Sequence, residues 1–293
     1  MELIAKSTGY FKSFDGTQIY YESRGTGEPI ILVYGIACLI NHWHHQIEYF
    51  AKNYQVIAFD LRGHHKSAMI EGYDHLSLEA TCKDILLLME HLNISKAHFL
   101  GHSFGAPLIL QAYDMKPEAF LSMGFINGFS KNPIKGMFGL DVIEPFFYFV
   151  KSQYEQHPDL WRSLWKTAVD NPLAMVLAGL AGGFNLHLTH FKDIEVYARG
   201  VARMDLEVFL VMFEELMKFD GDNILPKIAV PALVISGEKD NVTPQKFQHE
   251  FRDKIPHSEF VSVPYGSHCT QLDFPDYINL KIEDFLRKSK SEA

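Results

Sequence analysis

The pentapeptide Gly101-His102-Ser103-Phe104-Gly105 carries the strongest chemical signal in this sequence. It lies between an apolar run, Ala97 to Leu100, that reads as a strand and a stretch from Phe104 to Met115 that reads as a helix. A serine at such a turn is a nucleophile elbow: small flanking residues let the chain turn sharply, and the strained residue points its hydroxyl out from the top of a sheet. The amide of Phe104 then sits at a helix N-terminus, where unpaired N–H groups and the helix dipole favour an oxyanion. Serine is a weak nucleophile, so it needs a base, and the base needs an acid to orient it. Two later segments hold those residue types. The run from Pro231 to Gly237 leads to Asp240 just past a strand, and Pro264-Tyr265-Gly266-Ser267-His268 places a histidine just past the next one. The carboxyl ends of parallel strands share one edge, which is where open α/β sheets bind ligands.

The elements that must position these residues follow from hydrophobic patterning. Tyr10 to Phe14, the Asp15-Gly16 turn and Thr17 to Ser23 read as a hairpin. Ile30 to Tyr34 and Gln55 to Phe59 are continuous apolar runs suited to strands buried on both faces. Between the second of these and Ala97, Ser77 to Leu92 has helical spacing, with Leu78, Cys82, Ile85, Leu86 and Met89 on one stripe. This alternation predicts an α/β fold with a mostly parallel, twisted sheet and helices on both faces. From Phe129 the pattern becomes helical, broken at Pro133, Pro145, Pro158, Pro172 and Gly182-Gly183. The alternation returns with a strand at Ala232 to Ser236, a helix at Pro244 to Asp253 capped by Thr243, a strand at Glu259 to Val263 and a helix at Tyr277 to Arg287. The expected organisation is a core of residues 1–128 and 224–293 interrupted by a helical cap of residues 129–223. The cap is rich in Phe and Trp, most of which must pack its helices.

The order Ser103, Asp240, His268, each just past a strand, resembles the α/β-hydrolase superfamily, and the likeness covers essentially the whole chain. The resemblance puts the nucleophile on Ser103, the acid on Asp240 and the base on His268. Gly237-x-x-Asp240 followed by Val242-Thr243-Pro244 matches the family pattern, as does Gly266-Ser267-His268. The family's alternative acid position, after Phe125-Ile126, holds Asn127, which favours Asp240. The resemblance also implies an oxyanion hole made by the backbone N–H groups of Phe104 and Ile36. Tyr34-Gly35-Ile36 stands where His-Gly-x is common, so how this loop is pinned is open. Packing of Tyr34 beneath the loop is preferred to a hydroxyl reaching the oxyanion. Asp60-Leu61-Arg62-Gly63-His64-His65-Lys66-Ser67 resembles the family's Asp-x-Arg-Gly-x-Gly-x-Ser, with His65 in place of a glycine. It reads as structural, with Arg62 pairing to carboxylate or carbonyl oxygens.

The resemblance therefore implies a cofactor-independent serine hydrolase acting on a carboxylic ester of a small apolar substrate. Serine disfavours the haloalkane dehalogenases and epoxide hydrolases of this fold, which use a carboxylate nucleophile. Carbon–carbon bond hydrolases, cofactor-free haloperoxidases and slow-turnover ligand receptors of the same fold remain as alternatives.

Composition narrows the classes further. The 293 residues are 47% hydrophobic and 22% charged, as in ordinary globular proteins. A net charge of −9 argues against nucleic acid and against anionic membrane surfaces. Cys38, Cys82 and Cys269 make neither a disulfide framework nor a zinc-type C-x-x-C pair; Cys38 and Cys269 read as small buried residues. His42, His44 and His45 crowd one loop and His64 and His65 the next. No partner carboxylate is evident nearby, so these read as hydrogen-bonded or solvated loop residues, and no metal or cofactor is expected. Met1 to Lys6 lacks a leader pattern, and no apolar run reaches the ~18–20 residues of a membrane span, so a cytoplasmic location is expected.

Overall fold

Ile30 to Val33 are apolar at every position because the strand they form is covered on both sides, and all four are fully buried. The computed structural model describes residues 6–67, 74–134, 137–140 and 142–291. Met1 to Ala5, read above for a leader, lie outside the described residues. The strands are β1 (Lys6–Lys12), β2 (Gln18–Arg24), β3 (Pro29–Val33), β4 (Gln55–Phe59), β5 (Ala97–His102), β6 (Phe120–Ile126), β7 (Ala232–Gly237) and β8 (Glu259–Val263). They form one sheet in the order β1-β2-β4-β3-β5-β6-β7-β8. The β1–β2 and β2–β4 pairs are antiparallel and the remaining pairs parallel.

Before the sheet's midpoint the chain forms α1 (His44–Phe50) and α2 (Leu78–His91), and after β5 it forms α3 (Gly105–Met115). Ser77 caps α2 by accepting a hydrogen bond from the Ala80 N–H at 3.1 Å. Of the stripe read from sequence on α2, Leu78, Cys82, Ile85 and Met89 are buried, and Leu86 is half-buried. Between β6 and β7 lie α4 (Ile143–Gln156), α5 (Pro158–Val169), α6 (Pro172–Leu180), α7 (Phe191–Arg203) and α8 (Leu206–Lys218). The C-terminal part adds α9 (Lys246–Lys254), α10 (Thr270–Asp273) and α11 (Pro275–Ser291). Among the described residues no helix is long and apolar enough to cross a membrane.

The strand order locates the site. β3 lies between β4 and β5, so the chain steps to one side after β3 and to the other after β4. That reversal opens a crevice at the carboxyl ends of β3 and β5. The loop Tyr34-Gly35-Ile36 leaves one of these ends, and Ser103 leaves the other.

Arg62 fastens the flank of this crevice. Its guanidinium donates to both Asp84 oxygens at 2.8 and 2.7 Å, to Asp15 at 2.9 Å and to the His75 carbonyl at 2.7 Å. Arg62 and Asp84 are almost fully buried. It thereby ties the β1–β2 loop, the segment after β4 and α2 together. The Arg62→Met variant leaves Asp84 buried without its cation, which typically costs about 3–5 kcal/mol. Urea unfolding should show that loss as a lower midpoint at unchanged slope.

Candidate active site

Ser103 sits between β5 and α3 with φ of +51°, in the left-handed region that non-glycine residues avoid. The turn is held from both sides: the Ser103 N–H donates to the Ile126 carbonyl at 3.1 Å, and its own carbonyl accepts from Ala106 at 2.9 Å. The flanking glycines are dictated by close approach. A Cβ on Gly105 would lie 2.1 Å from the Val33 carbonyl oxygen, and one on Gly101 would lie 2.7 Å from Ile109 Cδ1. The side chain of Ser103 is largely enclosed, and with His268 it lines a cavity of about 220 Å³. Among the described residues no direct hydrogen bond joins Ser103 Oγ to His268; such bonds often tighten only around a substrate.

Asp240 and His268 are paired. His268 Nδ1 donates to Asp240 Oδ2 at 2.9 Å, which leaves Nε2 as the ring's free basic position. The carboxylate is held by further donors. Oδ1 accepts the N–H groups of Val242 and Thr243, each at 2.8 Å, and the Thr243 hydroxyl lies 2.7 Å from Oδ2. That hydroxyl also lies 2.9 Å from the Asn127 carbonyl oxygen and 3.2 Å from His268 Nδ1. Thr243 is therefore not the cap read from sequence. Its hydroxyl is committed to Asp240, and α9 begins three residues later, at Lys246, without a side-chain cap.

The loop after β3 packs directly on the nucleophile: a Cβ on Gly35 would stand 3.0 Å from Ser103 Cβ. Ile36 lines the cavity, and Phe104 is fully buried at the N-terminus of α3. Tyr34 packs beneath the loop, where its hydroxyl accepts from the Leu61 N–H at 2.9 Å and contacts Asp60 at 3.2 Å. Tyr34 is fully buried and does not line the cavity that holds Ser103. Two histidines pin the loop. His64 Nε2 accepts from the Ala37 N–H at 3.2 Å, and His65 Nε2 donates to the Cys38 carbonyl at 2.8 Å. Burial pushes the His64 imidazole down to about 4, so it is neutral and able to accept. Cys38 and Cys269 are buried thiols on the cavity wall.

Three further residues set the geometry in roles the sequence reading did not give them. Asn127, with φ of +49°, donates through Nδ2 to the Ser267 and His268 carbonyls at 2.9 and 2.7 Å and accepts from Gly237 N–H at 2.8 Å. His102 donates from Nε2 to the same His268 carbonyl at 2.8 Å, and burial holds its imidazole well below the ordinary value. Asp273 accepts from the Ser267 N–H at 2.6 Å and its hydroxyl at 2.7 Å. Only the position of Asn127 after a strand was a usable signal; the others meet the site through tertiary contacts alone.

The segment between α6 and α7 also holds the histidine loop. The N–H groups of His268 and Cys269 donate to the carbonyls of Gly182 and Gly183 at 2.9 and 3.2 Å. From the same segment Asn185 N–H donates to Asp273 at 3.2 Å, and the Thr189 hydroxyl bonds the same carboxylate. Phe129, Met137, Phe184, Phe213 and Leu216 make much of the cavity wall apolar.

The chain's similarities are to proteins of one fold. Residues 28–149 match the family model described as alpha/beta hydrolase fold, and residues 217–293 match one described as TAP-like protein. The chain is 24% identical over 307 aligned residues to bifunctional epoxide hydrolase 2 of Sus scrofa, covering 96% of this chain and 55% of that protein. It thus spans about half the length of that relative. It is 25% identical to the putative carbamate hydrolase RutD of Stutzerimonas stutzeri, over 92% of this chain and 96% of that one. Its fold superposes on a thermophilic esterase from Thermogutta terrifontis with a TM-score of 0.76 and 20% identity, covering 97% of this chain and 99% of that one.

Proposed function

We propose that this chain, which belongs to the α/β-hydrolase superfamily, is a serine hydrolase that cleaves a carboxylic ester with a small apolar acyl group. The observation that carries the reading is the Asp240–His268 hydrogen bond at the wall of a cavity that a strained serine also lines. Ser103 Oγ attacks the ester carbonyl while its proton passes to His268 Nε2. Asp240 holds the Nδ1–H tautomer and balances the imidazolium. The amides of Ile36 and Phe104 receive the oxyanion, each such donor being worth about 3 kcal/mol of barrier. The imidazolium then protonates the leaving alcohol. Water attacks the acyl-enzyme, giving its proton to His268, and the acid leaves. Residues 129–223 act as the cap that closes this cavity.

The cavity's size and lining support a small apolar acyl group. About 220 Å³ is below the ~300 Å³ low end of drug-sized ligand sites, and the wall is mostly aromatic and aliphatic. A p-nitrophenyl ester series should therefore peak at acetate to butyrate, with kcat/KM at least tenfold lower for octanoate. Turnover that rises with chain length would remove the small-acyl reading. Inertness toward every ester, together with cleavage of a vinylogous diketone, would replace ester hydrolysis by carbon–carbon bond hydrolysis.

A further inference from the structure

A second cluster of chemistry-bearing side chains lies where α1 meets α7. His44 Nε2 stands 3.6 Å from Asp193 Oδ1, and His45 Nε2 stands 3.6 Å from Asp193 Oδ2. Both separations are too long for hydrogen bonds, and His45 Nε2 is buried without a hydrogen-bond partner. His44 Nδ1 lies 2.9 Å from the Asn41 carbonyl oxygen, so that nitrogen carries the proton and Nε2 turns a lone pair toward the carboxylate. The His44 lone pair, the unpartnered His45 Nε2 and the carboxylate thus face one common gap, and a cation in that gap would satisfy all three groups, with the His45 proton moved to Nδ1. A second nitrogen donating to a backbone carbonyl is also the usual way a metal-bound imidazole is oriented. Two ligands about 2.05 Å from a tetrahedral zinc ion lie roughly 3.3 Å apart, close to the separations seen here. All three donor atoms lie within 4.8 Å of one another.

We propose that His44, His45 and Asp193 bind one divalent transition-metal ion of the zinc type, with water completing its shell. The two-nitrogen, one-oxygen donor set suits such an ion better than calcium or magnesium, which prefer oxygen ligands. The other histidine cluster, Cys38 with His42 and His102, is a poorer site. Metal binding needs a thiolate, and burial pushes the Cys38 thiol up to about 12.

The ion would join the α/β core to the inserted helices, because α1 belongs to the first and α7 to the second. Asp193 and Tyr197 lie one turn apart on the same face of α7, and Tyr197 lines the cavity beside Cys38. Binding would therefore fix one wall of the Ser103 cavity without touching Ser103.

Zinc chloride titrated into the full chain by calorimetry, with Co²⁺ absorption as a second probe, tests this. Wild type should take up one equivalent, raise its Tm and give the visible bands of a tetrahedral Co²⁺ site. Asp193→Asn, which keeps the side chain's shape, should weaken binding at least tenfold, and His45→Ala should weaken it further. Cys38→Ser should bind as wild type does. Wild type without binding below millimolar zinc, unchanged affinity in Asp193→Asn and His45→Ala, or loss of the ion in Cys38→Ser instead would each overturn the proposal. The readout is binding, so failure here leaves ester hydrolysis standing, and failure of the ester assays leaves this site standing.

Discussion

Ser103→Ala is expected to lower ester turnover by a factor on the order of 10⁴–10⁶, the loss typical of a triad nucleophile. The size of the effect depends on there being no substitute. Cys38 and Cys269 share the cavity wall and are intrinsically better nucleophiles than serine. Burial, however, raises the Cys38 thiol to about 12 and the Cys269 thiol well above its ordinary value, so both stay protonated and inert. What survives in the alanine variant should be the contribution of the oxyanion amides and the cavity alone. Steady-state p-nitrophenyl acetate hydrolysis, with far-UV circular dichroism to confirm folding, measures it. Turnover within tenfold of wild type would sink the nucleophile assignment. A wild-type protein that gives a single Ser103-dependent burst and then stops would move the reading toward a ligand receptor, with acylation intact and deacylation blocked.

Asp240→Asn should lower kcat by roughly 10⁴ while leaving the fold intact, because it forces the wrong histidine tautomer. An asparagine oxygen can still accept the N–H groups of Val242 and Thr243 that Asp240 Oδ1 now accepts. Its amide nitrogen would then stand where Oδ2 meets Thr243 and His268. Thr243 can adapt by donating to the Asn127 carbonyl, already 2.9 Å away, and accepting from the amide. His268 adapts only by turning a lone pair on Nδ1 toward the amide, which puts the proton on Nε2 and removes the base. The signature is therefore a collapse of kcat at nearly unchanged unfolding midpoint. A parallel fall of both would mean that Asp240 acts mainly through structure. Equal activity would return the acid role to another residue.

The inner parallel strands were legible because burial on both faces leaves no polar alternation to blur their ends: β4 occupies the span that its apolar run predicts. The edge strand β8 also occupies its predicted span although most of it is only half-buried, because Phe260, Val261 and Val263 carry its β pattern. The N-terminal hairpin was read less well. β1 ends at Lys12 and β2 starts at Gln18, with residues 13–17 forming a wider loop held by Asp15 and Arg62. No local turn signal carries that distant arginine. α1 was missed because His44–Phe50 is short and its polar residues face partners far along the chain, such as Tyr49 on Glu283. Candidate residues at strand ends could be found because the strands themselves announce the sheet edge. Asn127 and His102 also stand at strand ends, but their roles were not legible, since their hydrogen bonds run to the Ser267 and His268 carbonyls that only folding brings near. The carboxylate beside His44 and His45 was invisible for the same reason: Asp193 lies on α7, far along the chain.

The bonds from His268 and Cys269 to the Gly182 and Gly183 carbonyls bear on how this architecture can be re-engineered or diversified. An insertion joined to its host only at its two ends could be exchanged between relatives as a cassette, carrying a new specificity onto an unchanged reaction centre. Here the exchange is constrained, because residues 182–189 supply the backbone and side-chain partners of the His268 loop and of Asp273 at the end of α10. A chimera that replaces α4 to α6 but keeps this stretch exchanges little of the cavity wall, of which α6 supplies Ala178 while Phe184, Tyr197, Phe213 and Leu216 stay in place. One that replaces the stretch as well must bring a matching histidine loop, so the two segments must be exchanged as a pair.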